Sequence, residues 1–150
     1  MNFEFKVKPP EKPTEWASYF SLRYRVLRAA WNQPLGSESD ADDNSSTHAA
    51  IFVPEVGCVA AGRLHGLLDR PGVAQVRYMA VHTEWQEKGL GAKVLRYLEA
   101  QAKKQGFKLI TLNARETAVG FYLKNGYQVI GEGPLVWGVI PHKICTKPII

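Results

Sequence analysis

Apolar residues change their spacing along this chain, from every second position to every third or fourth and back, and the switches mark its elements. Phe3, Phe5 and Val7 alternate with polar residues and predict a short first strand ahead of Pro9 and Pro10. Thr14 then caps a helix in which Trp16, Tyr19, Phe20, Arg23, Val26 and Leu27 recur at helical intervals up to about Arg28. Residues 32–47 gather turn formers and acids, which predicts a loop with room for a short helix. Strand patterns follow at 48–53, 58–67 and 73–82, separated by turn formers at 54–57 and 69–72, so an antiparallel meander is expected.

Helical spacing returns from Gly89 to Gln105, where Leu90, Val94, Leu95, Leu98 and Ala102 share one face. Gly106 ends that helix under Phe107, and residues 107–112 read as a strand. The same punctuation recurs: a short helix over 117–125, Gly126, and a strand beginning at Tyr127. A turn at Gly131 to Pro134 leads to a last strand over 137–147. Strand, helix and strand in succession favour a parallel crossover, so the pattern predicts one α/β domain over residues 1–150, a mixed sheet covered by helices.

Composition narrows the classes of function. The 150 residues, 45% of them apolar, suffice for one sizeable core. No apolar run reaches the ~18–20 residues of a membrane span, and the N-terminus lacks the apolar core of a secretion signal. A cytoplasmic protein without a membrane partner is expected. Cys58 and Cys145 stand apart in apolar surroundings and read as buried free thiols, and no acid or histidine pair has metal-ligand spacing. The formal charge of +5 comes from scattered Lys and Arg rather than a patch interleaved with aromatics, so nucleic acid is not the expected partner.

The chemistry points to residues 86–91, Gln-Glu-Lys-Gly-Leu-Gly, between a strand and a long helix. Gly89 and Gly91 remove side chains where an anion must approach the main chain, and the first turn of a helix leaves N–H groups without partners. A phosphorylated ligand would satisfy them.

Three segments in this order resemble the GNAT superfamily of acyl-CoA N-acyltransferases: Tyr78-Met79-Ala80-Val81-His82 as its central strand, Gln86 to Gly91 as its [Gln/Arg]-x-x-Gly-x-[Gly/Ala] loop, and Asn113 to Tyr127 as its distal region. The resemblance is strong over residues 73–132 and implies a mixed sheet of about six or seven strands flanked by about four helices. It also implies acetyl-CoA as cosubstrate, its pyrophosphate held by N–H groups of Gln86, Glu87, Lys88, Gly89, Leu90, Gly91 and Ala92. Main chain of Met79, Ala80 and Val81 would pair with pantetheine in a gap between two strands, and an N–H near Val81 would stabilise the oxyanion. Asn113 would contact pantetheine, and Tyr122 would serve as acid beside the CoA sulfur.

The implied reaction is direct attack of a primary amine on the thioester in a ternary complex, which needs no metal. His82 and His48 are base candidates; His65 and His142 attract less weight. Glu38, Asp40, Asp42 and Asp43 either attract a cationic amine or form a solvated loop. A silent acetyl-CoA-binding sensor or interaction module is the alternative function, and a basic nucleic-acid-binding domain a third reading. The acceptor is not fixed, and neither is a homodimer, for which Trp31, Trp85 and Trp137 are equally suited to internal packing or an interface.

Overall fold

Alternation in the strands sorts side chains onto two faces, and each face is covered by different helices. The computed structural model describes residues 5–150, so Phe3, expected in the first strand, lies outside the described residues. In chain order the elements are β1 (Val7–Lys8), α1 (Pro13–Leu27), β2 (Thr47–Val53), β3 (Gly57–Gly66), β4 (Val73–Val81), α2 (Leu90–Lys104), β5 (Leu109–Arg115), α3 (Val119–Lys124), β6 (Gln128–Val136) and β7 (Ile140–Pro148). They form one seven-stranded sheet in the order β1-β2-β3-β4-β5-β7-β6. All neighbours are antiparallel except β4 and β5, the parallel pair joined through α2.

Ala49, Ile51 and Val53 of β2 point into the core beneath α2, where Leu90, Val94, Leu95, Leu98 and Ala102 supply the facing stripe. Ala50, between them in sequence, joins Tyr19 and Leu22 of α1 together with Cys58, Ala61 and Ala80 on the other face. Both cysteines are free and buried, and burial pushes the Cys58 thiol up to about 12. Helices α2 and α3 end alike. Gly106 and Gly126 take φ of +86° and +91°, and the aromatics that follow bond back, Phe107 N to Ala102 O and Tyr127 N to Tyr122 O, both at 3.0 Å.

The structure corrects the expected pattern in three places. Helix α1 starts at Pro13, and Glu15 rather than Thr14 closes its first turn, its carboxylate accepting from the N–H groups of Glu11 and Lys12 at 3.0 and 3.1 Å. Among the described residues three α-helices form instead of about four; the acidic loop holds only a 3₁₀ turn at Ala41–Ser45, capped by Asp40. The turn expected at Gly131 to Pro134 is instead part of β6. There β6 slips register against β7 between Val129 and Gly131 and between Glu132 and Leu135, and because it is the sheet's edge Pro134 interrupts no inner ladder. The reversal comes at Trp137 and Gly138, both left-handed at φ of +51° and +71°.

Candidate active site

A gap opens in the middle of the sheet because β4 and β5 stay paired only over Val73–Gln75 and Leu109–Thr111. Beyond that point a bulge bends β4 away. Arg77 lies opposite Arg63 and Ala80 opposite Ala61, so Tyr78 and Met79 together face the single residue Gly62. Tyr78 takes the left-handed φ of +57°, unfavourable for a bulky residue. Its surroundings hold it there. The guanidinium groups of Arg23, Arg63, Arg77 and Arg28 surround its ring at 3.7, 4.8, 4.9 and 5.3 Å, and its hydroxyl donates to Asp40 Oδ2 at 3.1 Å.

The gap widens into a cleft of about 370 Å³ between the second halves of β4 and β5, closed by the end of α1 and by the turn between β6 and β7. Of the residues expected to meet pantetheine or act as acid, Met79, Asn113 and Tyr122 line it, whereas Ala80 and Val81 do not. Along β4, His82 N donates to Val59 O of β3 at 2.8 Å, and alternation along a strand turns the Val81 N–H to the opposite side, toward the gap. Tyr122 is 7% exposed, and burial raises its phenol above the ordinary range, with the neighbouring Cys145 adding to the rise and Arg115 opposing it. The phenol therefore keeps its proton at neutral pH.

The glycine loop follows at the end of β4. Gln86 Nε2 donates to Val81 O at 3.4 Å, which ties the loop to the strand. Gly89 at φ +75° sits just ahead of α2, whose first internal bond runs from Lys93 N to Gly89 O, so the N–H groups of Leu90, Gly91 and Ala92 precede the helical ladder. A Cβ on Gly89 would meet nothing within 4 Å, so the main chain there is open to a ligand; one on Gly91 would press on Phe121 at 3.3 Å. The open main chain at Gly89 fits a phosphate group, whereas Gly91 is kept small by packing against Phe121 and Val81.

The histidines divide differently from expectation. His48 is buried beneath α1, away from the cleft; its Nε2–H donates to Asp43 O at 2.8 Å and its Nδ1 faces the Tyr19 hydroxyl at 2.8 Å. Burial lowers its pKa, and both ring nitrogens are engaged within the fold. His82 accepts from Glu84 N at 3.1 Å through Nδ1, which caps the turn before the loop and puts the ring proton on Nε2. His142, given little weight in sequence, lines the cleft. Its Nδ1–H donates to Ile140 O at 2.9 Å, which leaves Nε2 as an acceptor.

Two of the four loop acids, Asp40 and Asp43, are engaged by arginines, whereas Asp42 is exposed. Asp43 pairs with Arg23 and Arg63, each at 3.0 Å, and Asp40 pairs with Arg63 at 2.5 Å and Arg77 at 3.4 Å. Burial alone would raise Asp40, but hydrogen bonds from Arg63 and Tyr78 and the Arg63 charge bring it down to about 2.

Residues 47–129 match the model of the acetyltransferase (GNAT) domain. The chain belongs to the GNAT acetyltransferase family. This acetyltransferase is 31% identical over 123 residues to a Bacillus subtilis (strain 168) protein named Uncharacterized N-acetyltransferase YjcF, covering 82% of this chain and 85% of that one. Its fold matches an aminoglycoside 6'-N-acetyltransferase complexed with coenzyme A, with a TM-score of 0.80, 16% identity and 97% of each chain covered. It also matches the ribosomal-protein-S18-alanine N-acetyltransferase of Escherichia coli, with a TM-score of 0.70, 18% identity, and 97% of this chain and 94% of that one covered. The protein is thus an acyltransferase whose cosubstrate is acetyl-CoA. Two neighbours named for such different acceptors show that the fold alone does not select one. Among the described residues of the acetyltransferase, no helix is long and apolar enough to cross a membrane.

Proposed function

We propose that the chain works as one N-acetyltransferase domain that moves an acetyl group from acetyl-CoA to a primary amine by direct attack, both substrates being bound together. The observation that carries this reading is the gap itself: an unpaired stretch of β4 ends at a glycine loop and shares its cleft with a buried, protonated Tyr122.

Acetyl-CoA supplies the activated acyl group. The N–H groups of Gln86 to Ala92 hold its pyrophosphate, and hydrogen bonds to a charged acceptor contribute roughly 1.5–3 kcal/mol each. Main chain of Met79, Ala80 and Val81, with the Asn113 amide, aligns pantetheine in the gap, and the Val81 N–H stabilises the charge that grows on the carbonyl oxygen. His142 Nε2 takes the proton from the attacking nitrogen. As the C–S bond breaks, Tyr122 gives its proton to the sulfur. His82 holds the turn that aims the loop, a positioning role that its Nδ1 contact with Glu84 N supports.

Thiol release from acetyl-CoA across a panel of primary amines, with mass detection of the acetylated product, tests the reaction. Release that depends on one amine class supports transfer; tight binding without release to any amine favours the sensor reading. In Gly89→Val the side chain has room but the left-handed backbone does not suit it, and acetyl-CoA affinity measured by calorimetry is expected to fall by at least about ten-fold. An unchanged affinity in the folded variant removes the loop assignment. His142→Gln is expected to lower kcat/KM by roughly 10²-fold with acetyl-CoA affinity unaltered; a rate equal to wild type assigns the proton to solvent.

A further inference from the structure

The fixed charges on the cleft wall are all of one sign. Arg28, Arg77 and Arg115 line it, and among the described residues neither Asp nor Glu does. Asp40 and Asp43, beside the lining residues Arg77 and Tyr78, are already engaged: they face Arg23, Arg63 and Arg77, three guanidinium groups against two carboxylates. That set holds surplus positive charge before Arg28 is counted. Arg28 donates only to carbonyls, from Nε to Ser37 O at 2.9 Å and from Nη1 to Leu27 O at 3.2 Å, and its guanidinium lies over the Tyr78 and Trp137 rings at 5.3 and 5.4 Å. Among the described residues its charge has no carboxylate partner.

These cations are not the phosphate site of acetyl-CoA. Residues 86–92 take no part in lining the cleft, whereas Arg28 and its neighbours belong to the end of α1 and to the side closed by the β6–β7 turn. An acceptor with several ammonium groups would bring more positive charge to a wall with nothing to pair it. A carboxylate would meet guanidinium forks whose planar geometry suits it. Trp31 and Trp137, 38% and 41% exposed at the same wall, add aromatic surface beside those forks.

Resting on the reading of this cleft as the acceptor site, we infer that the acceptor is a small amine that also carries a carboxylate. Arg28 and Arg77 hold the carboxylate, and the acceptor's apolar part lies against Trp31 and Trp137. The charged end thereby fixes the orientation of the nitrogen toward His142 and the gap.

The test uses the full chain saturated with coenzyme A, its tryptophan fluorescence titrated with matched pairs: phenylalanine and phenethylamine, leucine and 3-methylbutylamine, lysine and cadaverine. Each pair differs by the carboxylate alone. In at least one pair the amino acid is expected to bind about ten-fold or more tightly than its partner, and that preference is expected to fall toward parity in the folded Arg28→Gln, Arg77→Gln double variant. Equal binding within every pair, tighter binding of the decarboxylated amines, no binding by either series, or a preference that survives in the double variant would each overturn the inference. CoA release is followed separately with the same compounds and acetyl-CoA. A carboxylate preference in binding without transfer defeats the enzymatic reading and leaves this one standing, whereas equal transfer to both members of every pair does the reverse.

Discussion

Tyr122→Phe is expected to lower kcat by about 10²–10⁴-fold while leaving acetyl-CoA affinity within about three-fold of wild type. The variant loses one hydroxyl and keeps the ring that packs edge-on against Phe121 and Tyr127, with centroids at 5.1 and 5.7 Å, so α3 stays in place. What disappears is the group proposed to donate a proton beside the breaking C–S bond. Burial holds the phenol above its ordinary pKa, so the group stays protonated through neutral pH, and activity that depends on it fades only on the alkaline side. Single-turnover measurement isolates the step from product release. An unchanged single-turnover rate would transfer the proton to water and withdraw Tyr122 from the chemistry.

The half of the site proposed to hold acetyl-CoA was legible as a strand, loop and helix because it is local. Gly89, Gly91 and the helical stripe from Leu90 to Ala102 lie within one strand-loop-helix passage, and the order of segments around them carried the family. The acceptor half was not legible, because distant segments form it. Arg23 fell on the helical stripe of α1 as if it were an apolar position, and its partner Asp43 lies in a loop whose acids look solvated when read locally. Only the folded chain shows that both Arg23 and Arg63 are fully buried. Trp137 was hidden by the turn formers Gly131 to Pro134, which an edge strand absorbs as register slips; the true reversal uses Trp137 and Gly138. With that turn misplaced, nothing in the pattern brought His142 to the cleft. A positive φ at Tyr78 likewise has no local signal, since Tyr is a strand former and the bulge comes from the arginines gathered around its ring.

That buried cluster supplies the second large effect, on stability. Asp43 is the carboxylate shared by Arg23 and Arg63, both fully buried, and Nε of each arginine already lacks a partner. Asp43→Ala therefore leaves the buried Arg23 without a carboxylate partner among the described residues and Arg63 with Asp40 alone. Breaking a buried pair by removing one member costs about 3–5 kcal/mol. At about 2–4 °C per kcal/mol for a chain of this length, the Tm should fall by roughly 6–20 °C. Asp42→Ala, in the same loop but exposed, is the control and should stay within about 0.5 kcal/mol of wild type. The linkage to pH follows from the same contacts. Burial raises Asp43, yet hydrogen bonds from Arg23, Asp40 N and Arg63 outweigh it, and Asp40 is likewise brought to about 2. A carboxyl whose folded pKa lies below its unfolded value of about 3.9 stabilises the fold above that value and loses the contribution as pH falls toward the folded pKa. Thermal melts should therefore decline between about pH 4 and pH 2, and the decline should be shallower in Asp43→Ala, which has already lost one of the titrating groups. Because the same arginines hold Tyr78 in its bulge, the variant should also weaken acetyl-CoA binding before it unfolds. A variant that melts with wild-type Tm and wild-type acid sensitivity would mean that the guanidinium groups find water or other partners, and that the bulge does not depend on them.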